Sequence, residues 1–232
     1  MQGRSVFNIL YAVTLFVHLL AIVFHLEVLS YASKFLLSFI LVIQFILGTE
    51  GVPSVFRVPM VAALFLTGFG DIFLLFSDQY PLFFTFALAT FGVSLLAYIA
   101  FFLKIRYSNY PLPRCQWAFI IGMQAAIIAF MFFIMPYLGS MTIPVLGFAI
   151  IASVMLQAVK HAFRLKEQPS GWYALAGAGL YIISCALIAI HHFYHPMETG
   201  PFFIVLTYGL AQWGLVLGGL LYLRMRRGYA TQ

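Results

Sequence analysis

Charge is what this sequence is short of. Only 8% of its 232 residues are Asp, Glu, Lys or Arg, and six of those are acidic. A soluble domain carries about 25% charged residues to keep its surface wet. With 64% hydrophobic residues and a mean hydropathy of +1.03, most of this surface must face lipid. Cysteine is scarce as well. Cys115 and Cys185 lie in separate apolar runs and form no spaced motif, so neither a disulfide framework nor a zinc site is expected. The net charge of +6 does not point to nucleic acid, because the basic residues are divided among short segments rather than gathered on one face. No polar stretch is long enough for a soluble domain, and 1–232 reads as a single transmembrane helical domain.

What the chain does have is long apolar runs. A helix needs about 20 mostly apolar residues to cross a hydrocarbon core about 30 Å thick. Runs at 6–24, 30–47, 58–76, 82–103, 117–135, 143–159, 173–191 and 202–223 qualify. Breakers mark the gaps: Gly48-Thr49-Glu50-Gly51 with Pro53, Asp78-Gln79-Tyr80-Pro81, Asn109 to Pro113, Pro136 to Ser140, and Pro196 to Pro201. The expected fold is an all-α integral membrane bundle of about eight transmembrane helices.

Loop charges set the orientation. With Arg4 and the N-terminus in the cytoplasm, Arg57, Lys104, Arg106, Arg114, Lys160, Arg164, Lys166, Arg224, Arg226 and Arg227 all fall inside. The opposite loops carry Glu27, Asp78 and Glu198 and no Lys or Arg. This alternation predicts both termini inside, in a plasma or bacterial inner membrane. The first run has the n-region and h-region of a signal peptide, but it is long and includes His18, so a retained helix is expected.

Polar groups within a span are costly and therefore functional candidates. Lys34 sits about one turn inside the outer end of the second span, either snorkelling to the interface or paired. Asp71 is too deep for a short carboxylate to reach water alone. The two lie at similar depth, which predicts an ion pair. Ser184-Cys185 in the seventh span lies at about the same depth, and Tyr98, Thr207, Tyr208 and Gln212 are further buried polar groups that stitch helices together or line a cavity. His191, His192 and His195 are close in sequence, but adjacent helical residues point about 100° apart. They read as interfacial histidines, and no metal or other cofactor is expected. Residues 70–80 align without a gap beside 184–194, a weak sign of a four-plus-four repeat.

In order along the chain, these motifs resemble those of the YhhN family, the lysoplasmalogenase-like membrane proteins, over roughly residues 30–215. Lys34 matches a span-two Lys, though Leu37 replaces the following Pro. Gly70-Asp71, then Phe73 and Leu74, match the Gly-Asp signature. Phe84, Phe91 and Tyr98 match in span four, where Ala87 and Leu95 stand for Gly and His. Gly177-Ala178 and Ser184 match in span seven, with Cys185 in place of an aspartate. Thr207, Tyr208, Ala211 and Gln212 match in span eight, with Gly209 for a second Tyr.

The resemblance implies hydrolysis of the vinyl-ether bond of lysoplasmalogens, releasing a fatty aldehyde and a glycerophospho-headgroup. Such chemistry needs an acid to protonate the enol-ether carbon and water to capture the oxocarbenium ion. It implies Asp71, Lys34 and Cys185 as the catalytic positions, Ser184, Tyr98, Tyr208 and Gln212 as substrate contacts, and a lipid or lysolipid amphiphile as partner. Only one of the two family aspartates remains, and a thiol is a poor stand-in for a carboxylate. The alternatives are a non-catalytic relative that binds an amphiphile or joins a membrane complex, and, from the repeat, a small-solute transporter.

Overall fold

The computed structural model describes residues 2–77 and 79–230. Asp78, expected in an outer loop, lies outside the described residues, as do the side chains of Arg4 and Arg227. The described chain forms eight α-helices: α1 (Gln2–Val23), α2 (Glu27–Gly48), α3 (Ser54–Leu75), α4 (Pro81–Ser108), α5 (Trp117–Leu138), α6 (Thr142–Ala162), α7 (Ser170–Ala189) and α8 (Gly200–Ala230). A π-helical turn, Ile190–Tyr194, extends α7, and no strand occurs among the described residues.

By length and hydropathy, seven stretches qualify as membrane spans, where the sequence predicts eight. The difference lies at Trp117–Ala162, a single apolar stretch of 46 residues. It comprises α5, a 3-10 turn (Gly139–Met141) and α6. Pro136, expected as a breaker, stays inside α5. Prolines are tolerated in such helices because neighbouring groups satisfy the freed backbone. The chain turns instead at Gly139, whose φ of +51° suits a residue without a Cβ. Gln124 of α5 then reaches Ser153 of α6, its Nε2 donating to Oγ at 2.7 Å.

The helix starts follow from proline chemistry. Pro53 and Pro169 immediately precede α3 and α7, and Pro81 opens α4. A missing N–H costs nothing in the first turn, where that donor has no partner anyway. Thr14, Thr67, Thr90 and Thr207 inside the helices, and Thr49 just past α2, each donate to the carbonyl four residues back, so these hydroxyls need no water.

Two helix pairs make the most extensive contacts, α7 with α8 and α3 with α4. Between α7 and α8 the backbones touch. A Cβ on Gly177 would lie 2.6 Å from the Leu215 nitrogen, and one on Gly218 would lie 2.6 Å from the Ala174 nitrogen. Small residues allow this approach, and dispersion between the closely packed backbones holds the pair together. The main core gathers side chains such as Phe45, Tyr98, Phe101 and Leu215 from the other helices. α5 meets it through the partly buried Phe119 and Met123. Its buried residues are Met131, Ile134 and Leu138, which join a smaller cluster with Val145 and Ala189.

Four basic side chains lie at one end of the bundle. Lys104 donates to the Val55 carbonyl at 2.8 Å, Arg106 to that of His161 at 3.3 Å, and Arg224 to that of Gly48 at 2.9 Å. Lys160 lies over the rings of Phe119 and Trp172.

Candidate functional site

Asp71 lies near the end of α3 and is 5% exposed. The residue before it explains part of its setting. A Cβ on Gly70 would meet the Phe91 ring at 2.8 Å, so only glycine lets Phe91 of α4 lie against α3. Phe91 in turn packs edge-on to Tyr208 of α8, with ring centroids 6.3 Å apart. The Tyr208 hydroxyl donates to Oδ2 of Asp71 at 2.8 Å. On the other side, Lys34 Nζ lies 3.5 Å from Oδ1, the pairing that their depths predict. An ion pair this buried adds little net stability, because desolvation opposes the attraction, but losing one partner strands the other at a cost of about 3–5 kcal/mol.

The pair opens on a small chamber of about 20 Å³ between α1, α2, α3 and α8, where the polar groups of Tyr11, His18, Thr67 and Gln212 stand among Leu37, Leu41, Leu64 and Val205. That is room for about one water molecule. Gln212 is held in turn by Tyr98, whose hydroxyl donates to its Oε1. Thr67 and Ser94 share a hydrogen bond at 2.7 Å, and Ser94 lies 2.9 Å from the Ala63 carbonyl.

Tyr208 is also a wall of a second, larger cavity of about 150 Å³. Its other walls include Phe84, Phe91, Phe130, Phe148 and Tyr181, and it is half open. A dry apolar cavity of this volume holds a benzene molecule, so a short length of hydrocarbon chain fits. Ser184 and Cys185 line this cavity and not the small chamber. Ser184 donates to the Ile204 carbonyl at 3.1 Å. Cys185 and Asp71 thus line different cavities, and Tyr208 lines both. Depth follows from position along a helix, whereas facing depends on how each helix is rotated.

The structure thus brings Lys34, Asp71, Tyr208 and Gln212 together, with Tyr98 attached through Gln212. It leaves Ser184 and Cys185 on the apolar side. Sequence reasoning missed His18 and Tyr11 as members of the chamber. The signal was available for His18, since it lies about as far from the C-terminal end of α1 as Lys34 does from the N-terminal end of α2. Just after the C-terminal end of α7, His191 accepts the Met197 N–H at 3.0 Å, and His192 stacks on Phe84 at 4.3 Å. Among the described residues no three His, Cys, Asp or Glu side chains gather as a metal site would require.

The model of the YhhN family matches residues 29–219. No curated protein and no solved structure matches the chain.

Proposed function

The chain belongs to the YhhN family, and from that premise we propose that this multi-pass membrane protein hydrolyses an amphiphile of the lysoplasmalogen type at its vinyl-ether bond. One observation carries the reading. Tyr208 is hydrogen-bonded to a buried carboxyl group on one side and walls an apolar cavity on the other. A substrate whose hydrocarbon chain lies in the larger cavity has its ether end at Tyr208, against Asp71. The Lys34–Asp71 pair is neutral as a whole and holds one transferable proton, whichever partner carries it. That proton is the one the enol-ether carbon requires, and water completes the reaction.

In this reading the 46-residue stretch crosses the membrane twice, since a straight helix of that length would span about 69 Å. The count becomes eight crossings with both termini on the cytoplasmic side. The end bearing Lys104, Arg106, Lys160 and Arg224 is cytoplasmic by the positive-inside rule. The acid then lies toward the extracytoplasmic half.

A second reading is favoured by the place of Cys185. With no carboxylate on α7, the protein serves as a binding relative that holds an amphiphile without cleaving it. Purified protein incubated with a panel of lysoplasmalogens separates the two. Release of fatty aldehyde that disappears in a folded Asp71→Asn variant supports the hydrolase. Lipids that co-purify intact, with no aldehyde from any member of the panel, support the binder.

A further inference from the structure

His18 of α1 is 1% exposed and belongs to the small chamber, yet it lies outside the region matched to the family. Its Nδ1 is 2.8 Å from Oγ of Ser33. The Ser33 hydroxyl has one proton, and the carbonyls of Leu29 and Ser30 are both within its reach. With that proton directed to a carbonyl, Ser33 Oγ acts as an acceptor toward His18. Nδ1 is then the protonated nitrogen, and the neutral ring carries its lone pair on Nε2. Nε2 is buried and has no protein partner.

A second orphan completes the picture. Gln212, 3% exposed, spends its Oε1 on the Tyr98 hydroxyl, and its Nε2 is buried without a partner. The two unpartnered atoms are an acceptor and a donor, on residues that line one chamber with room for about one water. A buried polar group left unpaired is costly, so two complementary ones lining a water-sized space point to a water site. α1 is held there by contact with α8. A Cβ on Gly209 would lie 2.5 Å from Leu15, and the Tyr11 hydroxyl donates to the Gly209 carbonyl at 2.8 Å.

Resting on the hydrolase reading above, we infer that this chamber binds the hydrolytic water between His18 Nε2 and Gln212 Nε2, and that His18 is the general base that activates it. The Lys34–Asp71 pair gives its proton to the outer vinyl carbon, whose π electrons form the new C–H bond and leave an oxocarbenium ion. A lone pair of the bound water forms a C–O bond to the cationic carbon as His18 Nε2 takes one of its protons. In the resulting hemiacetal the hydroxyl proton returns to the Lys34–Asp71 pair. The bond to the glycerol oxygen breaks, its electron pair stays on that oxygen, and the oxygen takes the proton from His18. One water is consumed, aldehyde and glycerophospho-headgroup are formed, and every side chain is restored.

The test uses the full-length protein in detergent with a 1-alkenyl-glycerophosphoethanolamine as substrate. His18→Asn keeps an N–H near Ser33 and removes the base. It is expected to lower kcat about 100-fold with KM within about threefold and an unchanged melting temperature. An active wild type whose folded His18→Asn variant turns over equally well overturns the inference and leaves the hydrolase reading standing. A wild type inactive on every lysoplasmalogen overturns both. Nitrogen-15 NMR of the histidine rings supplies a readout independent of turnover, with His18 assigned by its loss in the variant. The Nδ1–H tautomer with an unprotonated Nε2 is expected, and an Nε2–H tautomer overturns the proposal. If His18→Asn fails to fold, Ser33→Ala is substituted. It frees the ring from its tautomer and is expected to lower kcat about tenfold, and no change in kcat overturns the proposal.

Discussion

Tyr208 donates its hydroxyl to Asp71 Oδ2 at 2.8 Å, and the same side chain lines both a water-sized chamber and an apolar cavity. Tyr208→Phe keeps the wall and removes the hydrogen bond. A hydrogen bond to a charged group is worth about 1.5–3 kcal/mol, so turnover of a lysoplasmalogen should fall about 10- to 100-fold with little change in KM. Aldehyde release measured at saturating substrate checks this. Full activity in the variant would remove the hydroxyl from the mechanism.

Lys34 and Asp71 form an ion pair at 3.5 Å with little contact to water. Lys34→Met alone should destabilise the protein by about 3–5 kcal/mol, because it strands the carboxylate. Joining it to Asp71→Leu should recover most of that loss. Thermal unfolding of the two single variants and the double gives the coupling energy directly. Single effects that merely add would mean the two groups do not interact.

Cys185 occupies the apolar side of Tyr208. If its thiol marks a missing carboxylate, Cys185→Asp should raise turnover about tenfold, a gain within the range of one added acid or base group. It should also lower the melting temperature, since the new carboxylate enters an apolar wall. A well-folded Cys185→Asp variant with no gain would count against descent from a two-carboxylate enzyme.

Gly177 faces the backbone of α8 with no room for a side chain. Gly177→Val should cost about 1–3 kcal/mol or more through overpacking, seen as a lower melting temperature in detergent. Gly122→Ala and Gly147→Ala, with nothing within 4 Å of the added carbon, should change it little. Equal losses at all three glycines would refute the close α7–α8 contact as the cause.

The helices were legible in the sequence because each apolar run ends at proline, glycine or charge, and the Lys34–Asp71 pair was legible because depth can be counted along a helix. The turn at Gly139 was placed only approximately, because Pro136 looks like a breaker in sequence and behaves as an ordinary member of a membrane helix. The separation of Cys185 from Asp71 was not legible, since it depends on the rotation of α7 and α8, which their backbone contact fixes. His18 was visible only as an oddity in an apolar run. Its partners, Ser33 on α2 and the chamber at α8, come together only when the helices assemble.

With no side chains spacing their axes at the glycine contacts, α7 and α8 form one plank, whose Ser184, Cys185 and Tyr208 line the apolar cavity and whose Tyr208 and Gln212 line the small chamber. A lipid tail cannot slip between them. In the hydrolase reading, a tail enters where Ile127, Phe130 and Met131 of α5 line the apolar cavity.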